Sequence, residues 1–162
     1  CQIYFMPQDY SIIELMKKMK LIPIEKLIEG NRILFCEDSI VRGTQLQDNI
    51  QILYDFGAVE VHMRPACPTL IYPCEFLNFS TSRSTLDLAG RKAIKELEGT
   101  EDIKLHEYAE SNSEKNMAMV DRIRKRLRLT SLKYQQLEHL VDAVGLPKEK
   151  LCTHCWDGSS YF

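Results

Sequence analysis

The most informative part of the sequence is Ile33-Leu34-Phe35-Cys36-Glu37-Asp38-Ser39-Ile40-Val41-Arg42-Gly43-Thr44. Its first four residues form a short continuous apolar run, which is typical of a strand buried on both faces of a parallel sheet. Two acids follow, and a loop of small residues then leads into a helix. Thr44 and Gln47 have the spacing of a capping box, which predicts that this helix begins at about Gln45.

The residues that follow complete a strand–helix–strand unit. Gly57 is expected to end the predicted helix. Apolar residues recur on one face of this helix: Leu46, Ile50, Leu53 and Tyr54. Val59, Val61 and Met63 then alternate with polar residues, which predicts a second strand. Two strands joined by one helix predict a parallel crossover.

Helical patterns dominate the rest of the chain. The opening predicts a helix over about residues 10–20, which Pro23 ends. Three more helices are predicted at about 86–97 (capped by Ser84 or Thr85), 114–127 and 132–144. From the second of these, the residues predicted to face inward are Met117, Val120, Ile123 and Leu127. The polar segment 99–113 is expected to be a surface connection.

Composition points to an ordinary globular protein. The 162 residues are 44% hydrophobic and 27% charged, with a net charge of −2. This charge gives no general attraction to nucleic acid or an anionic membrane, and no apolar run approaches the roughly 20 residues of a membrane helix. Because the opening residues also lack a signal-like pattern, we expect a cytoplasmic protein with no nucleic-acid or membrane partner. The basic run 122–128 is expected to be a solvated helix face.

The carboxyl end of the predicted first strand carries the chemistry. Ligands bind at this edge in open parallel sheets, and a helix start offers free amides and partial positive charge to a phosphate. Gly43 permits close backbone approach, and the hydroxyls of Ser39 and Thr44 can donate hydrogen bonds. Glu37 and Asp38 can accept from vicinal sugar hydroxyls or hold a divalent cation. The alternative is a surface loop with an acidic pair and a helix cap.

The chain has six cysteines: Cys1, Cys36, Cys67, Cys74, Cys152 and Cys155. Because helix and strand signals dominate, metal binding or free thiols are favoured over a disulfide-stapled fold. Cys152 and Cys155 form a Cys-x-x-Cys motif after a helix end, which is compatible with half a zinc site, a redox pair or cluster ligands. There is no second such motif, so any further thiolate ligand must come from a distance.

The twelve-residue stretch resembles the phosphoribosylpyrophosphate signature of four apolar residues, two acids and a small-residue phosphate loop. Neither the P-loop nor the dinucleotide glycine pattern fits. The form Asp-Ser-Ile-Val-Arg-Gly-Thr over residues 38–44 is similar to that of the glutamine phosphoribosylpyrophosphate amidotransferases, or amidophosphoribosyltransferases. That family more often has Asp at both acidic positions, whereas this chain has Glu37.

The resemblance implies roles for these residues. Glu37 and Asp38 would be the catalytic acids that engage the ribose hydroxyls and Mg²⁺. The 5′-phosphate would bind the loop formed by Ser39, Ile40, Val41, Arg42, Gly43 and Thr44.

The resemblance also implies a [4Fe–4S] cluster, which many family members carry. Cys74, Cys152 and Cys155 match three ligand positions, and the fourth would lie upstream, in a part of the family absent from this chain. His154 would then be a solvated spacer. Cys36 and Cys67 are expected to be core or loop thiols. Cys1 is not assigned as the glutaminase nucleophile, since the residues after it do not resemble those of the family.

The resemblance covers nearly the whole chain but only the carboxy-terminal third of a family member. It implies an α/β fold: a type I phosphoribosyltransferase-like partial domain with a parallel sheet over 1–80, then a mostly helical region over 81–162. The implied reaction forms 5-phosphoribosylamine in purine biosynthesis, with ammonia from a glutaminase domain or subunit, in a homo-oligomer; the chain alone is expected to be inactive. The alternatives are a non-catalytic phosphoribosylpyrophosphate-binding regulator and a metal-binding structural module.

Overall fold

The computed structural model describes residues 24–74, 76 and 85–159. The helix predicted over residues 10–20, its end at Pro23, Cys1 and the proposed cap Ser84 lie outside these ranges. Within them the chain forms three strands and seven α-helices. They are α1 (Glu25–Ile28), β1 (Arg32–Glu37), α2 (Thr44–Asp55), β2 (Glu60–Pro65), α3 (Ala89–Glu98), α4 (Leu105–Ala109), α5 (Glu114–Arg126), β3 (Ser131–Leu132), α6 (Leu137–Val144) and α7 (His154–Asp157).

The three strands form one parallel sheet in the order β1-β2-β3. Strands β1 and β2 pair over six residues each and are joined by α2, so the predicted parallel crossover is confirmed. In the described ranges, no helix is long and apolar enough to cross a membrane.

Strand β3 was not predicted, because its second residue, Leu132, was assigned to the start of the helix over 132–144 and Ser131 to no element. The backbone N–H groups of Thr130 and Lys133 donate instead to the carbonyls of Val61 and Met63, at 2.8 and 3.2 Å. The helix therefore begins only at Leu137. A short apolar run cannot be assigned to helix or strand by periodicity alone, and the free edge of β2 decides the outcome here.

Strand β1 is buried on one face only, so the prediction of burial on both faces is wrong. Ile33 and Phe35 pack against the core, whereas Leu34 is 62% exposed and Cys36 is also exposed. The reason is that, within the described residues, nothing covers the face of β1 that carries Leu34 and Cys36, and a parallel strand is buried on both faces only where helices cover both. Cys36 is consequently an exposed strand thiol, not the core or loop thiol that we expected.

Helix α2 begins without the predicted capping box. Thr44 is already the first helical residue, Gly43 occupies the preceding position in the left-handed region, and no side chain of the described residues caps the helix. The apolar face is as predicted, because Leu46, Ile50 and Leu53 are all buried.

One apolar core joins the sheet to helices from both halves of the chain. On α5, Met119 and Ile123 are 0% and 1% exposed, since residues four apart share a helix face. Met117 was predicted to face inward, but it is 56% exposed. The segment 99–113 is more than a surface connection, because it contains α4 and the buried Tyr108, whose hydroxyl donates to Glu98 at 2.9 Å.

Two methionine substitutions on α5 test this orientation. Met119→Ala should lower the free energy of unfolding by about 2–5 kcal/mol, because it leaves a cavity in the core. Met117→Ala, the matched control on the same helix, should change it by no more than about 0.5 kcal/mol. Urea unfolding of both variants measures the difference. Equal losses would contradict the assigned face of α5.

Candidate functional site

The two acids lie at the carboxyl edge of the sheet, as predicted. Glu37 is the last residue of β1, Asp38 follows it, and the parallel partner β2 ends alongside at Pro65. The backbone N–H of Ala66 donates to the carbonyl of Glu37 at 2.8 Å. The segments that leave the two strands are thus tied together at the edge where α/β sheets bind ligands.

The acidic pair is exposed enough to meet a ligand and close enough for its charges to interact. Asp38 is exposed, and its carboxylate accepts from the backbone N–H of Ser39 at 2.5 Å and from the Ser39 hydroxyl at 3.3 Å. Burial raises the pKa of Glu37, and the negative charge of Asp38 raises it further. A cation or hydroxyl donors placed between the two groups would relieve this repulsion.

The loop between the acids and α2 is fixed from beneath by apolar side chains. Ile40 is 3% exposed and belongs to the main core. Gly43 has a φ of +78°, and a Cβ added there would lie 3.3 Å from Cδ2 of Leu127. Arg42 and Thr44 are exposed above these anchors, and Arg42 forms an ion pair with Asp87 at 3.8 Å. The loop therefore presents a closely packed backbone and an uncapped helix start, whose N–H groups suit an anion.

The fold brings two of the predicted metal ligands together. Cys74 and Cys155 are 4% and 9% exposed, and their thiols are within hydrogen-bonding reach. Burial raises the pKa of Cys155 to about 12, and the neighbouring Cys74 and Cys152 thiols add to the effect. Cys152 itself is exposed. Among the residues that the structure describes, no group of three or more His, Cys, Asp or Glu side chains is arranged to hold a metal ion.

Helix α7 holds Cys155 against the segment that follows β2. The carbonyl of Cys155 accepts from the N–H groups of Ile71 and Tyr72 at 2.9 and 3.1 Å. His154 is not the solvated spacer that we expected, because its Nδ1 lies 2.7 Å from the Ser159 carbonyl and its ring lies 5.8 Å from that of Tyr72. Donor chemistry and proximity at Cys74 and Cys155 thus fit part of a thiolate-bound centre, whose formation would require deprotonation.

One residue near the acidic pair, Cys67, was missed, and so was its neighbour Trp156. Cys67 follows β2, and its pKa is raised to about 11. Burial is the main cause and the negative charge of Asp38 adds to it, whereas the Trp156 indole acts in the opposite direction. The indole contact is weak, since sulfur is a poor acceptor and Nε1 of Trp156 makes no regular hydrogen bond within the described residues. The position of Cys67 at the end of the neighbouring parallel strand was a signal that could have indicated this proximity.

A cavity of about 390 Å³ has a lining that contains neither the acidic pair nor the cysteine pair. It is lined by the segment after β2, the start of α5 and residues 132–136, and its lining includes Thr69, Asn116 and Tyr134. None of the predicted site residues contributes to it.

Two glycine substitutions test how closely the end of α7 packs against Tyr72. Gly158→Ala should lower the free energy of unfolding by about 1–3 kcal/mol more than Gly145→Ala does. The two glycines have nearly the same positive φ, +74° at Gly158 and +73° at Gly145. A Cβ added at Gly158 would lie 2.7 Å from the Tyr72 ring, whereas a Cβ added at Gly145 would have no heavy atom within 4 Å. Urea unfolding of the two variants isolates the contact from the backbone strain that they share. A Gly158→Ala loss no larger than that of Gly145→Ala would contradict the close packing of α7 on Tyr72.

No protein-family profile matches the chain. Curated relatives named amidophosphoribosyltransferase do match it. The protein of Methanothermobacter thermautotrophicus is 33% identical over 141 residues, which cover 87% of this chain and 24% of the relative. That of Methanocaldococcus jannaschii is 31% identical over 145 residues, or 90% of this chain and 25% of the relative. That of Mycobacterium tuberculosis is 28% identical over 155 residues, which cover 95% of this chain and 25% of the relative.

Two solved structures share the fold. One is a glutamine phosphoribosylpyrophosphate amidotransferase from B. subtilis complexed with ADP and GMP, with a TM-score of 0.60, 20% identity and coverage of 97% of this chain and 30% of that one. The other is described as the allosteric regulatory enzyme of purine biosynthesis. It has a TM-score of 0.61 and 20% identity, and the match covers 99% of this chain and 30% of that one.

The chain spans about a quarter of the length of the curated relatives. Its parallel sheet and helices match the type I phosphoribosyltransferase fold of the solved neighbours, as the sequence predicted. The chain is therefore homologous to a partial region of the amidophosphoribosyltransferases.

Proposed function

We propose that this chain is the carboxy-terminal part of a cytoplasmic enzyme that forms 5-phosphoribosylamine from phosphoribosylpyrophosphate and glutamine-derived ammonia in purine biosynthesis. One observation carries the proposal: in a chain homologous to amidophosphoribosyltransferases, two carboxylates and an uncapped helix start meet at one sheet edge. No observation favours a non-catalytic regulator or a purely structural metal module.

The loop 39–44 is suited to hold the 5′-phosphate. The first turn of α2 leaves backbone N–H groups without intrahelical partners, and the helix start carries partial positive charge. Ile40 and the close packing of Gly43 on Leu127 fix the loop backbone before ligand arrives. A preorganised loop loses little conformational freedom on binding, so more of the contact energy contributes to affinity.

The acidic pair is suited to hold the ribose. Glu37 and Asp38 accept hydrogen bonds from the vicinal hydroxyls and orient the anomeric carbon toward the nucleophile. Their negative charge stabilises the oxocarbenium-like sugar as the bond to pyrophosphate breaks and ammonia attacks, and no covalent enzyme intermediate is needed. A magnesium ion, held in part by these carboxylates, would supply positive charge to the departing pyrophosphate.

The remaining parts of the reaction belong to the longer protein. Ammonia would come from a glutaminase domain or a separate subunit, and a homo-oligomer would assemble the complete enzyme. The observation that motivates these proposals is length, since the chain spans only about a quarter of its curated relatives.

The cysteines are proposed to be three ligands of a [4Fe–4S] cluster. Cys74 and Cys155 are already adjacent, and Cys152 is close enough for its charge to act on Cys155. The exposed Cys152 would turn inward, and the fourth ligand would come from the upstream part of the protein. When bound, the cluster would cross-link the segment after β2 to the end of the chain.

An acidic substitution tests the ribose and magnesium role. Asp38→Asn should weaken binding of magnesium phosphoribosylpyrophosphate by about tenfold or more, because it removes one charge-assisted contact. The matched control is Asp142→Asn on the exposed side of α6, which should leave the affinity unchanged. Calorimetric titration of the folded chain measures both. Equal affinities for wild type and Asp38→Asn, or no binding to either, would contradict the proposal.

Serine substitutions test the cluster ligands. After anaerobic reconstitution with iron and sulfide, Cys74→Ser and Cys155→Ser should each lose most of the bound iron and the charge-transfer absorbance, since serine is a poor cluster ligand. Cys36→Ser is the matched control, because Cys36 is an exposed thiol on β1. Iron content per chain provides the measurement. Full loading of Cys155→Ser would exclude it as a ligand.

A further inference from the structure

The face of the sheet that points away from the core carries a row of polar side chains. Successive residues of a strand point to opposite faces, and Met63 and Leu132 belong to the core. Their chain neighbours His62 and Ser131 therefore share the other face. In the register of the sheet, His62 lies beside Ser131 on β3 and beside Leu34 on β1. Because Leu34 is 62% exposed, small molecules in solution can reach this face.

Three side chains of this face form a hydrogen-bonded relay. Nδ1 of His62 lies 2.8 Å from Oγ of Ser131, and Nε2 of the same ring lies 2.9 Å from a carboxylate oxygen of Glu60. An ionised carboxylate only accepts, so in the neutral ring Nε2 carries the hydrogen and Nδ1 can take the proton of the serine hydroxyl. The side chains of His62 and Glu60 are 26% and 32% exposed. The relay is therefore both ordered and accessible.

Two arginines flank the relay. Nε of Arg32 lies 3.5 Å from the carboxylate of Glu60 and helps to hold it in place. Nη1 of Arg64 donates to the Ser131 hydroxyl at 3.2 Å and to the carbonyl of Met63 at 2.6 Å. The guanidinium is thus fixed beside the serine oxygen. In that position it can stabilise negative charge that develops on a group bonded to this oxygen.

These contacts are the ones that a serine nucleophile needs. Activation requires a base within hydrogen-bond reach of the hydroxyl and a third group that orients the base. Such relays recur on unrelated folds and in different chain orders, so they are recognised by geometry. Here His62 has the position of the base and Glu60 that of the orienting group. A row of hydrogen bonds with a purely structural role would leave Ser131 no more reactive than any other serine.

We propose that Ser131 is a nucleophile that His62 activates and Glu60 positions, and that this face of the sheet hydrolyses small activated esters. Leu34, the exposed apolar neighbour of His62, suits an ester with a short apolar acyl group. The inference is independent of the proposed function, because the relay and the acidic pair share no residue.

The reaction has two steps. Oγ of Ser131 bonds to the carbonyl carbon while its proton passes to Nδ1 of His62, and Arg64 stabilises the oxyanion. The bond from that carbon to the leaving oxygen then breaks, and the leaving group takes the proton from His62. Water cleaves the acyl-serine by the same route: it gives a proton to His62, which returns it to Ser131 as the carboxylic acid departs.

A fluorophosphonate probe tests the nucleophile on the full chain, because an activated serine displaces fluoride from it. The intact mass should increase by one phosphonyl group, and peptide mapping of the wild-type chain should place that group on Ser131. p-Nitrophenyl acetate is the ester, and nitrophenolate absorbance gives the rate. Ser131→Ala should lose the label and most of the hydrolysis. Ser111→Ala, the matched control in the turn before α5, should keep both.

Two further variants test the relay. His62→Gln should lower the maximal labelling rate about a hundredfold, because it removes the general base. Glu60→Gln should lower that rate about tenfold or more without changing the probe concentration that gives half of it, and Glu60→Asp should recover part of the loss. A general disturbance of the sheet would change both quantities. His139→Gln, at an exposed position of α6, is the matched control and should label at the wild-type rate.

Each outcome supports or overturns one part of the proposal. No label on the wild-type chain, or a label on another residue, overturns the nucleophile, and this result does not depend on whether a variant folds. A wild-type labelling rate in His62→Gln or in Glu60→Gln, with the fold confirmed by circular dichroism, overturns the role of that residue. Binding of magnesium phosphoribosylpyrophosphate is measured separately, so each of these results leaves the proposed function standing.

Discussion

Backbone hydrogen bonds between β1 and β2, in parallel register from Arg32–Glu60 to Glu37–Pro65, place every element of the candidate site. Parallel strands end at the same edge, so Glu37 and Asp38 meet the segment that carries Cys67. The crossover helix must then start beside this edge, and its uncapped first turn lies next to the two acids. One pairing therefore produces both the acidic pair and the anion-binding helix start.

The segment after β2 extends this constraint to the cysteines. It carries Cys74 and accepts α7 through the hydrogen bonds of Ile71 and Tyr72 to the Cys155 carbonyl. Residues about eighty positions apart thus share one apolar cluster. Because Val41 packs on that cluster, the fold joins a proposed ligand loop to a proposed metal site without an intervening element.

Much of the fold follows from local pattern, and the misses have physical causes. The β1–α2–β2 crossover was predictable because strand and helix periodicities differ clearly. Strand β3 was not, since two residues pair only because β2 offers a free edge. The acids were placed correctly by their position at a strand end. Neither the exposure of Met117 nor the packing of Val41 against the cluster of Leu70, Cys74, Leu88 and Cys155 could be predicted, because both depend on which surfaces distant segments present.

The proposed function requires that the carboxyl edge of β1 bind a sugar phosphate. Amide chemical-shift perturbation on addition of magnesium phosphoribosylpyrophosphate can locate such binding, because each backbone N–H reports separately. We expect the largest changes at residues 38–46, where the acidic pair adjoins the loop and the first turn of α2. Changes concentrated instead on the lining of the separate cavity, such as Asn116 and residues 132–136, would contradict it.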